Sequence, residues 1–318
     1  MRPLGEFEVI DLFTRGLKGP APGVAVGIGD DAAVLRPPPG QDLVATVDAV
    51  VEGVHFGPAF APEDIGWKAL AVNLSDVAAM GARPLFALVA VAMPRDLDPR
   101  RLARVARGLG ACARRYRVAV VGGNLTAARE LSLTVTVLGS VRRGGALLRS
   151  TARPGDLVAV SGTLGDAALG ISPGAPSALA ARQRRPRPRL ALGARLAGVA
   201  RAAIDLSDGL VQDLGHLCEA SGVAATVELE RLPLSPAYRR AARGLPDPFE
   251  AALAGGEDYE LLFALPPGRL AAARRAAARS GTRLSVIGEF DRGNGVRVVK
   301  GGGETLRLRR AGHDHLRP

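Results

Sequence analysis

The stretch Leu85-Phe-Ala-Leu-Val-Ala-Val-Ala92, followed by Pro99–Tyr116 and then Val118-Ala-Val-Val-Gly-Gly-Asn124, decides the fold. Its first segment is a continuous apolar run of strand length. Pro99–Tyr116 reads as a helix, and Val118–Val121 as a buried strand ending in Gly122-Gly123-Asn124. Strand and helix keep alternating on either side with little low-complexity sequence between them, which indicates the α/β class.

Towards the N-terminus, Glu6–Leu17 places Phe7, Ile10, Leu12, Phe13 and Leu17 on an amphipathic helix ended by Gly19-Pro20. Gly27-Ile-Gly-Asp-Asp-Ala-Ala-Val-Leu35 predicts a turn that delivers Asp30 and Asp31 onto a strand edge. Adjacent residues of an extended strand face opposite ways, so one of the pair faces a site and the other does not. Pro37–Gly40 is a loop, Leu43–Val51 a strand crossed by Asp48, and Pro62–Met80 a helix stopped by Gly81 with Pro84 beyond. Leu131–Val141 alternates as a strand.

Arg153-Pro154-Gly155-Asp156 marks a break, and the chain divides into domains 1–148 and 149–318. Leu157–Ser161 is a strand, followed by Gly162–Asp166 and a small helix. Pro173–Arg189 is rich in Pro, Ala and Arg and predicts an exposed, mobile connection. Leu190–Ala200 is helical, and Asp205-Leu-Ser-Asp208 precedes the helix Gly209–Ser221. Ala224–Val227, Tyr259–Leu265, Leu284–Ile287 and Val296–Val299 read as strands, with Gly268–Ser280 as an Ala/Arg helix between them. No short-period repeat is visible.

Composition bounds the function. A length of 318 residues suits two domains, and 47% hydrophobic with 4% aromatic content means cores of Leu, Val and Ala. No apolar run reaches the ~18 residues of a membrane span, and the N-terminus lacks a signal-peptide pattern. The expectation is a cytoplasmic protein with no membrane partner. The formal charge of +11 raises nucleic acid as a partner, but lysine is confined to Lys18, Lys68 and Lys300. Arginine is spread through Ala-rich segments such as Leu270–Arg283 without interleaved aromatics, so no nucleic-acid partner is expected and small anionic substrates suit better. Cys112 and Cys218 make neither a disulfide framework nor a metal spacing, and read as buried, inert thiols.

The chemistry lies in recurring acidic marks: Asp30-Asp31, Asp48, Asp76 within Asn73-Leu-Ser-Asp76, Asp205 and Asp208 within Asp205-Leu-Ser-Asp-Gly209, and Glu257-Asp258. Most adjoin glycine or end an apolar run, where side chains reach a loop-built site. Asn73 and Asp76 share a helix face that is otherwise apolar, so Asp76 must be paired or bind a cation. Taken alone, Asp205 or Ser207 also reads as the N-cap of the following helix. Together, carboxylates without matching basic partners call for hard cations, and Mg²⁺ both takes oxygen ligands and bridges to phosphates. The Walker lysine motif, the kinase His-Arg-Asp set and a nucleophilic Ser–His–Asp or Cys–His pattern are all missing from the sequence. Phosphoryl transfer here would rest on positioning and electrostatics.

In order and across nearly the whole chain, Gly27–Leu35, Asp48 with Glu52-Gly-Val-His-Phe56, Trp67–Asp76, Gly122-Gly123-Asn124, Asp205–Gly209 and Gly255-Gly-Glu-Asp-Tyr259 resemble thiamine-monophosphate kinases. Several pieces are shared with the wider aminoimidazole ribonucleotide synthetase superfamily; Glu52–Phe56 and Gly256–Phe263 favour the thiamine branch. The resemblance implies a two-domain α/β (α+β) architecture, with an N-terminal mixed sheet that pairs in a homodimer and a C-terminal α/β sandwich. The N-terminal domain would bind ATP and metal and form the dimer, with the active site in a cleft beside that interface. The implied reaction is ATP-dependent phosphorylation of thiamine monophosphate to thiamine diphosphate, with Mg²⁺ as cofactor and a monovalent cation left open. Asp31, Thr46, Asp48, Asp76, Asn124, Asp205 and Asp208 would hold Mg²⁺, and Asp48, Asp76 and Asp205 would carry catalysis. Gly122, Gly123, Arg149 and Ser207 would contact ATP, and His55 and Glu257 thiamine monophosphate.

Two positions depart from the pattern. Many relatives carry Asp where Asn124 stands, and a neutral oxygen ligates Mg²⁺ with less charge. Gly312-His-Asp-His-Leu316 resembles an ending that usually has aromatics before and after its Asp-His. The alternatives are another ATP-dependent enzyme of the superfamily, such as a ring-closing purine-pathway synthetase, and a non-catalytic nucleotide- or RNA-binding protein. The latter predicts salt-dependent binding insensitive to the aspartates.

Overall fold

The computed structural model describes residues 6–17, 21–172, 174–301, 303–306 and 312. Two compact units appear, Met1–Val77 with Ala82–Gly144, and Ala78–Gly81 with Gly145–Pro318.

The first unit runs α1 (Glu6–Thr14), β1 (Val24–Val26), β2 (Val34–Leu35), β3 (Gln41–Val51), α2 (Pro62–Ala79), β4 (Arg83–Met93), α3 (Pro99–Tyr116), β5 (Ala119–Ala127) and β6 (Ser132–Arg142). β3, β6, β4 and β5 form one sheet in that order, β1 and β2 a separate ribbon. Only β4 and β5, joined through α3, are parallel; the other two ladders are antiparallel. One face of the sheet is apolar and buried: Val89, Val91, Leu133, Val135 and Val137 are all at most 3% exposed. α3 is set by local signals, with Asp98 accepting from the Arg100 N–H, Pro99 in the first turn, and Arg117 closing the helix at φ 59°. Its buried residues include Leu102, Val105, Leu109 and Cys112.

Close approach of α2 and α3 needs two glycines. A Cβ on Gly66 would run into the Val105 carbonyl, and one on Gly108 into the Glu63 carbonyl. Glu63 then pins the crossing from α2, accepting from Arg104 Nε and Nη2 at 2.9 Å each and from Arg107 Nη2 at 3.1 Å. Hydrogen bonding from Arg104 holds the Glu63 carboxyl down at about 2, against a weaker upward push from burial.

The second unit contains β7 (Leu157–Ser161), α4 (Asp166–Gly170), α5 (Ser177–Arg184), α6 (Leu190–Leu196), β8 (Ala202–Asp205), α7 (Leu210–Ser221), β9 (Ala224–Glu228), α8 (Pro236–Ala241), α9 (Glu250–Ala254), β10 (Leu261–Leu265), α10 (Leu270–Arg279), β11 (Leu284–Asp291), β12 (Gly295–Lys300) and β13 (Glu304–Thr305). Its seven strands lie in the order β13-β12-β9-β11-β7-β10-β8. All neighbouring pairs are antiparallel except β12 with β9. Apolar clusters cover both faces: one includes Leu210, Leu214 and Leu217 of α7, the other Leu192 of α6 and Ala273 of α10. Both thiols are buried, and burial pushes Cys112 well above the ordinary thiol range and Cys218 up to about 12.

The mixed α/β, two-unit architecture agrees with the expected fold class, and α3 and β7 fall where the sequence places them. Other readings are corrected. α1 stops at Thr14; Gly19-Pro20, the expected stop, lies outside the described residues. β5 continues through Gly122-Gly123-Asn124, because Leu88, Val89 and Ala90 of β4 pair with those residues. The Pro173–Arg189 connection contains α5, and its Arg182 and Arg189 are anchored. β10 begins at Leu261 rather than Tyr259, since Glu257 and Tyr259 adopt φ of 69° and 49° and cannot be extended.

Candidate active site

In the first unit, Thr46 and Asp76 meet. The pairing of β3 with β6 sets Thr46 opposite Val137 and Asp48 opposite Val135, the row facing the helices. Thr46 Oγ1 there donates to Asp76 Oδ2 of α2 at 2.6 Å, and Asp48 lies two residues further along the same face. Asn124 pairs with Ala90, which pairs with Thr134, so it stands on the opposite face of the sheet. Asp30 and Asp31 are exposed in the loop between β1 and β2, where the Asp31 N–H donates to Asp30 Oδ1 at 2.9 Å. A turn carries the pair, with Asp30 at an isolated bridge and Asp31 in a bend, outside the regular strands β1 and β2.

His55 follows β3. Its Nδ1 accepts from the Val51 N–H at 3.1 Å, so the ring proton of a neutral imidazole is left to Nε2. Lys68, fully buried on α2, donates from Nζ to the His55 carbonyl at 2.9 Å and stands 5.5 Å from the Phe60 ring centroid. A buried ammonium needs such partners. Glu52 of the same stretch is tied up structurally, with Arg101 Nη2 at 2.6 Å from Oε1 and the Leu131 N–H at 3.4 Å from Oε2. A cavity of about 500 Å³ lies between Val24, Gly27 and Ile28 on one side and Gly110, Arg114 and Val121 on the other.

In the second unit, two loops are zipped together. Asp205 ends β8, buried opposite Leu261 of β10. The Leu206 N–H donates to the Glu260 carbonyl, and the Glu257 and Tyr259 N–H groups donate to the Ser207 and Leu206 carbonyls, all between 2.7 and 2.9 Å. Gly256 has to be glycine, since a Cβ there would strike the Ser207 carbonyl. Asp208 Oδ2 accepts from Gln212 at 3.2 Å, and its backbone N–H joins that of Gly209 on the buried Asp213 carboxylate, at 3.1 Å each. Burial, with the Asp208 charge added, pushes Asp213 up to about 7 against those two N–H groups and the exposed Arg149. Arg149, Asp208 and Asp213 therefore share one end of this unit.

Glu257, Asp258 and Glu260 take different partners. Glu257 Oε2 accepts from Gln183 Nε2 at 3.0 Å. Asp258 is buried and accepts from the Gly165 N–H at 2.7 Å, at the start of α4. Glu260, with no exposed surface, accepts from Arg182 and Ser161 at 2.6 and 2.5 Å and pairs twice with Arg189. Sequence reading missed Lys68, Gln183, Asp213 and the Glu260 ion pairs. One signal was available: a lysine kept on an apolar helix in a chain that otherwise uses arginine.

Every candidate ligand offers hard oxygen. Among the described residues no three His, Cys, Asp or Glu side chains converge into a ready-made cation site. Oxygen donors of this kind fit Mg²⁺, which is held by one or two carboxylates and completes its octahedron with water and substrate phosphates. No helix of the described residues is long and apolar enough to cross a membrane. His313, Asp314, His315 and Leu316 lie outside the described residues.

Residues 29–141 match the family AIR synthase related protein, N-terminal domain, and residues 153–301 the family AIR synthase related protein, C-terminal domain. The chain is 40% identical over 274 residues to thiamine-monophosphate kinase of Haemophilus influenzae, covering 83% of this chain and 82% of the relative. The crystal structure of thiamine-monophosphate kinase from Stenotrophomonas maltophilia K279a matches with a TM-score of 0.84 at 40% identity, covering 95% of this chain and 98% of that one. AaThiL, solved in complex with AMPPCP and TMP, matches with a TM-score of 0.78 at 34% identity, covering 99% and 98%. With the acidic loops of both units in place and identity of this order over most of the chain, this protein belongs to the thiamine-monophosphate kinase family.

Proposed function

We propose that the chain transfers the γ-phosphoryl group of ATP to the phosphate of thiamine monophosphate, giving thiamine diphosphate and ADP. The observation that carries this reading is the match over nearly the full chain to a relative solved with AMPPCP and TMP. Asp31, Thr46, Asp48 and Asp76 of the first unit, and Asp205 and Asp208 of the second, are the proposed Mg²⁺ ligands; Asn124, on the other face of the sheet, would serve a different ion from the one beside Thr46 and Asp76. Asp48, Asp76 and Asp205 are the proposed catalytic residues. The Thr46–Asp76 contact and the buried Asp205 support the assignment.

Bound Mg²⁺ would supply charge neutralisation on the phosphates, the work a P-loop lysine shares elsewhere. The acceptor is already an anionic phosphate oxygen, so the protein has no proton to abstract and its task is to align two anions. Gly122, Gly123, Arg149 and Ser207 are proposed to hold ATP, and His55 and Glu257 the thiamine part. A carboxylate suits that part, which carries a cationic thiazolium and an amino group. The domain roles follow: 1–148 for ATP, metal and dimerisation, 149–318 as the second half of the enzyme, with a homodimer as the working form.

Product analysis after incubation with ATP, Mg²⁺ and thiamine monophosphate tests the reading, and thiamine diphosphate and ADP should appear in equal amounts. Asp76→Ala or Asp205→Ala should lower turnover by ~10² or more, as removal of a preorganised charge stabiliser does. Asp31→Ala should hurt more than Asp30→Ala. Near-wild-type rates for the alanine variants at saturating Mg²⁺ and ATP would sink the metal assignment, and absence of thiamine diphosphate would sink the kinase reading.

A further inference from the structure

We infer that Gln183 is a positioning residue for the thiamine-phosphate substrate, acting through Glu257, and that the arginine-rich segment 182–189 is folded to present it. The inference rests on the kinase reading above and on Glu257 as the residue that meets the substrate.

Three observations converge. First, Glu257 sits at φ 69°, a region a non-glycine residue occupies only where surrounding structure enforces it. Its backbone is held by the bond to the Ser207 carbonyl at 2.7 Å. Second, its side chain takes a hydrogen bond at 3.0 Å from Gln183, a buried amide at the end of α5. Third, the neighbouring residue on α5, Arg182, pairs at 2.6 Å with Glu260, three residues beyond Glu257. The pairs Arg182–Glu260 and Gln183–Glu257 thus run side by side between the same two segments. Arg189 closes the far end of the segment on Glu260.

The division of labour follows from charge. Glu260 is fully buried, and its two arginines are each less than a fifth exposed, so this cluster is largely desolvated. It sets where α5 stands against the loop 255–260. Gln183 is neutral, so its own bond orients the Glu257 carboxylate while adding no positive charge to it. An arginine at 183 would neutralise Glu257; an amide only aims it.

The test is steady-state kinetics of the full chain with both substrates varied. Gln183→Ala should raise KM for thiamine monophosphate about ten-fold, the scale of one lost hydrogen bond to a charged group. It should leave KM for ATP and the melting temperature near wild type. Gln183→Glu, isosteric with the native residue, should raise KM at neutral pH and recover as pH falls, because the introduced carboxyl regains a proton it can donate to Glu257. A merely structural role would not give a pH-dependent KM for one substrate alone. If both variants keep wild-type KM while the wild type makes thiamine diphosphate, or if KM for both substrates rises together, the positioning role is overturned. If the wild-type protein makes no thiamine diphosphate, the kinase reading falls and takes this inference with it.

Discussion

At the scale of single residues, Asp258 and Glu260 show how neighbours in sequence come to opposite electrostatic ends. Burial pushes Asp258 up to about 8, only partly offset by the Gly165 N–H and the Arg182 charge. Burial would push Glu260 up as well, but the hydrogen bond and charge of Arg189, with the charge of Arg182, hold it below the usual carboxylate range. For Asp258 the folded value stands above the ordinary 3.8, so the folded state keeps its proton where the unfolded chain has lost it. Stability therefore falls as pH rises from about 4 to about 8. Asp258→Asn keeps an acceptor for Gly165 and never ionises. Thermal melts should show the variant gaining on the wild type between pH 5 and pH 9, on the order of a few kcal/mol by linkage. A gap that does not change with pH would refute the assignment. None of this is legible in Gly-Glu-Asp-Tyr-Glu, where three acids look alike; their partners lie 71 to 99 residues away.

At the scale of elements, local chemistry placed what local chemistry controls. α3 has its proline, its aspartate cap and its apolar stripe in one continuous segment. α5 shows the converse. Proline and arginine density around 173–189 reads as loop, yet Ser177–Arg184 is helical and its C-terminal end is tied to Glu260 from 78 residues away. A helix stabilised from that distance leaves no trace in its own composition. The α2–α3 crossing is equally non-local. Gly108→Ala would set a methyl against the Glu63 carbonyl, where backbone cannot yield as a flexible side chain does. The variant should lose about 1–3 kcal/mol in denaturant titration, while the same substitution at Gly215, which has open space around its Cβ position, should not. Equal losses at both sites would mean that the crossing is not close-packed.

At the scale of the whole molecule, the first unit leaves the outer face of its sheet apolar and exposed. Leu43 and Val47 of β3 are 56% and 58% exposed, and Leu88 of β4 is 38% exposed. The proposed homodimer would cover this face. Val47→Asp should convert a dimer to monomer in light scattering at micromolar concentration, with the folded unit intact by circular dichroism. A variant that remains dimeric would place the interface elsewhere.

The sequence by itself determined the fold class, the family and the candidate residue types, because apolar periodicity, glycine punctuation and spaced acidic motifs are local or ordered along the chain. The first motif to suggest a site, Gly27–Leu35, is an instance of the limit. Its aspartates and the turn that carries them were legible, but not the isolated bridge and the bend in which the two residues sit. Only the tertiary structure decided that Thr46 meets Asp76, that Asn124 faces away from them, that Lys68 backs the His55 loop, and that an arginine-rich stretch is an anchored support for Glu257. Those facts depend on strand register and on charge pairs closed across many residues. Their free energy comes from desolvation and geometry that exist only once the chain has folded.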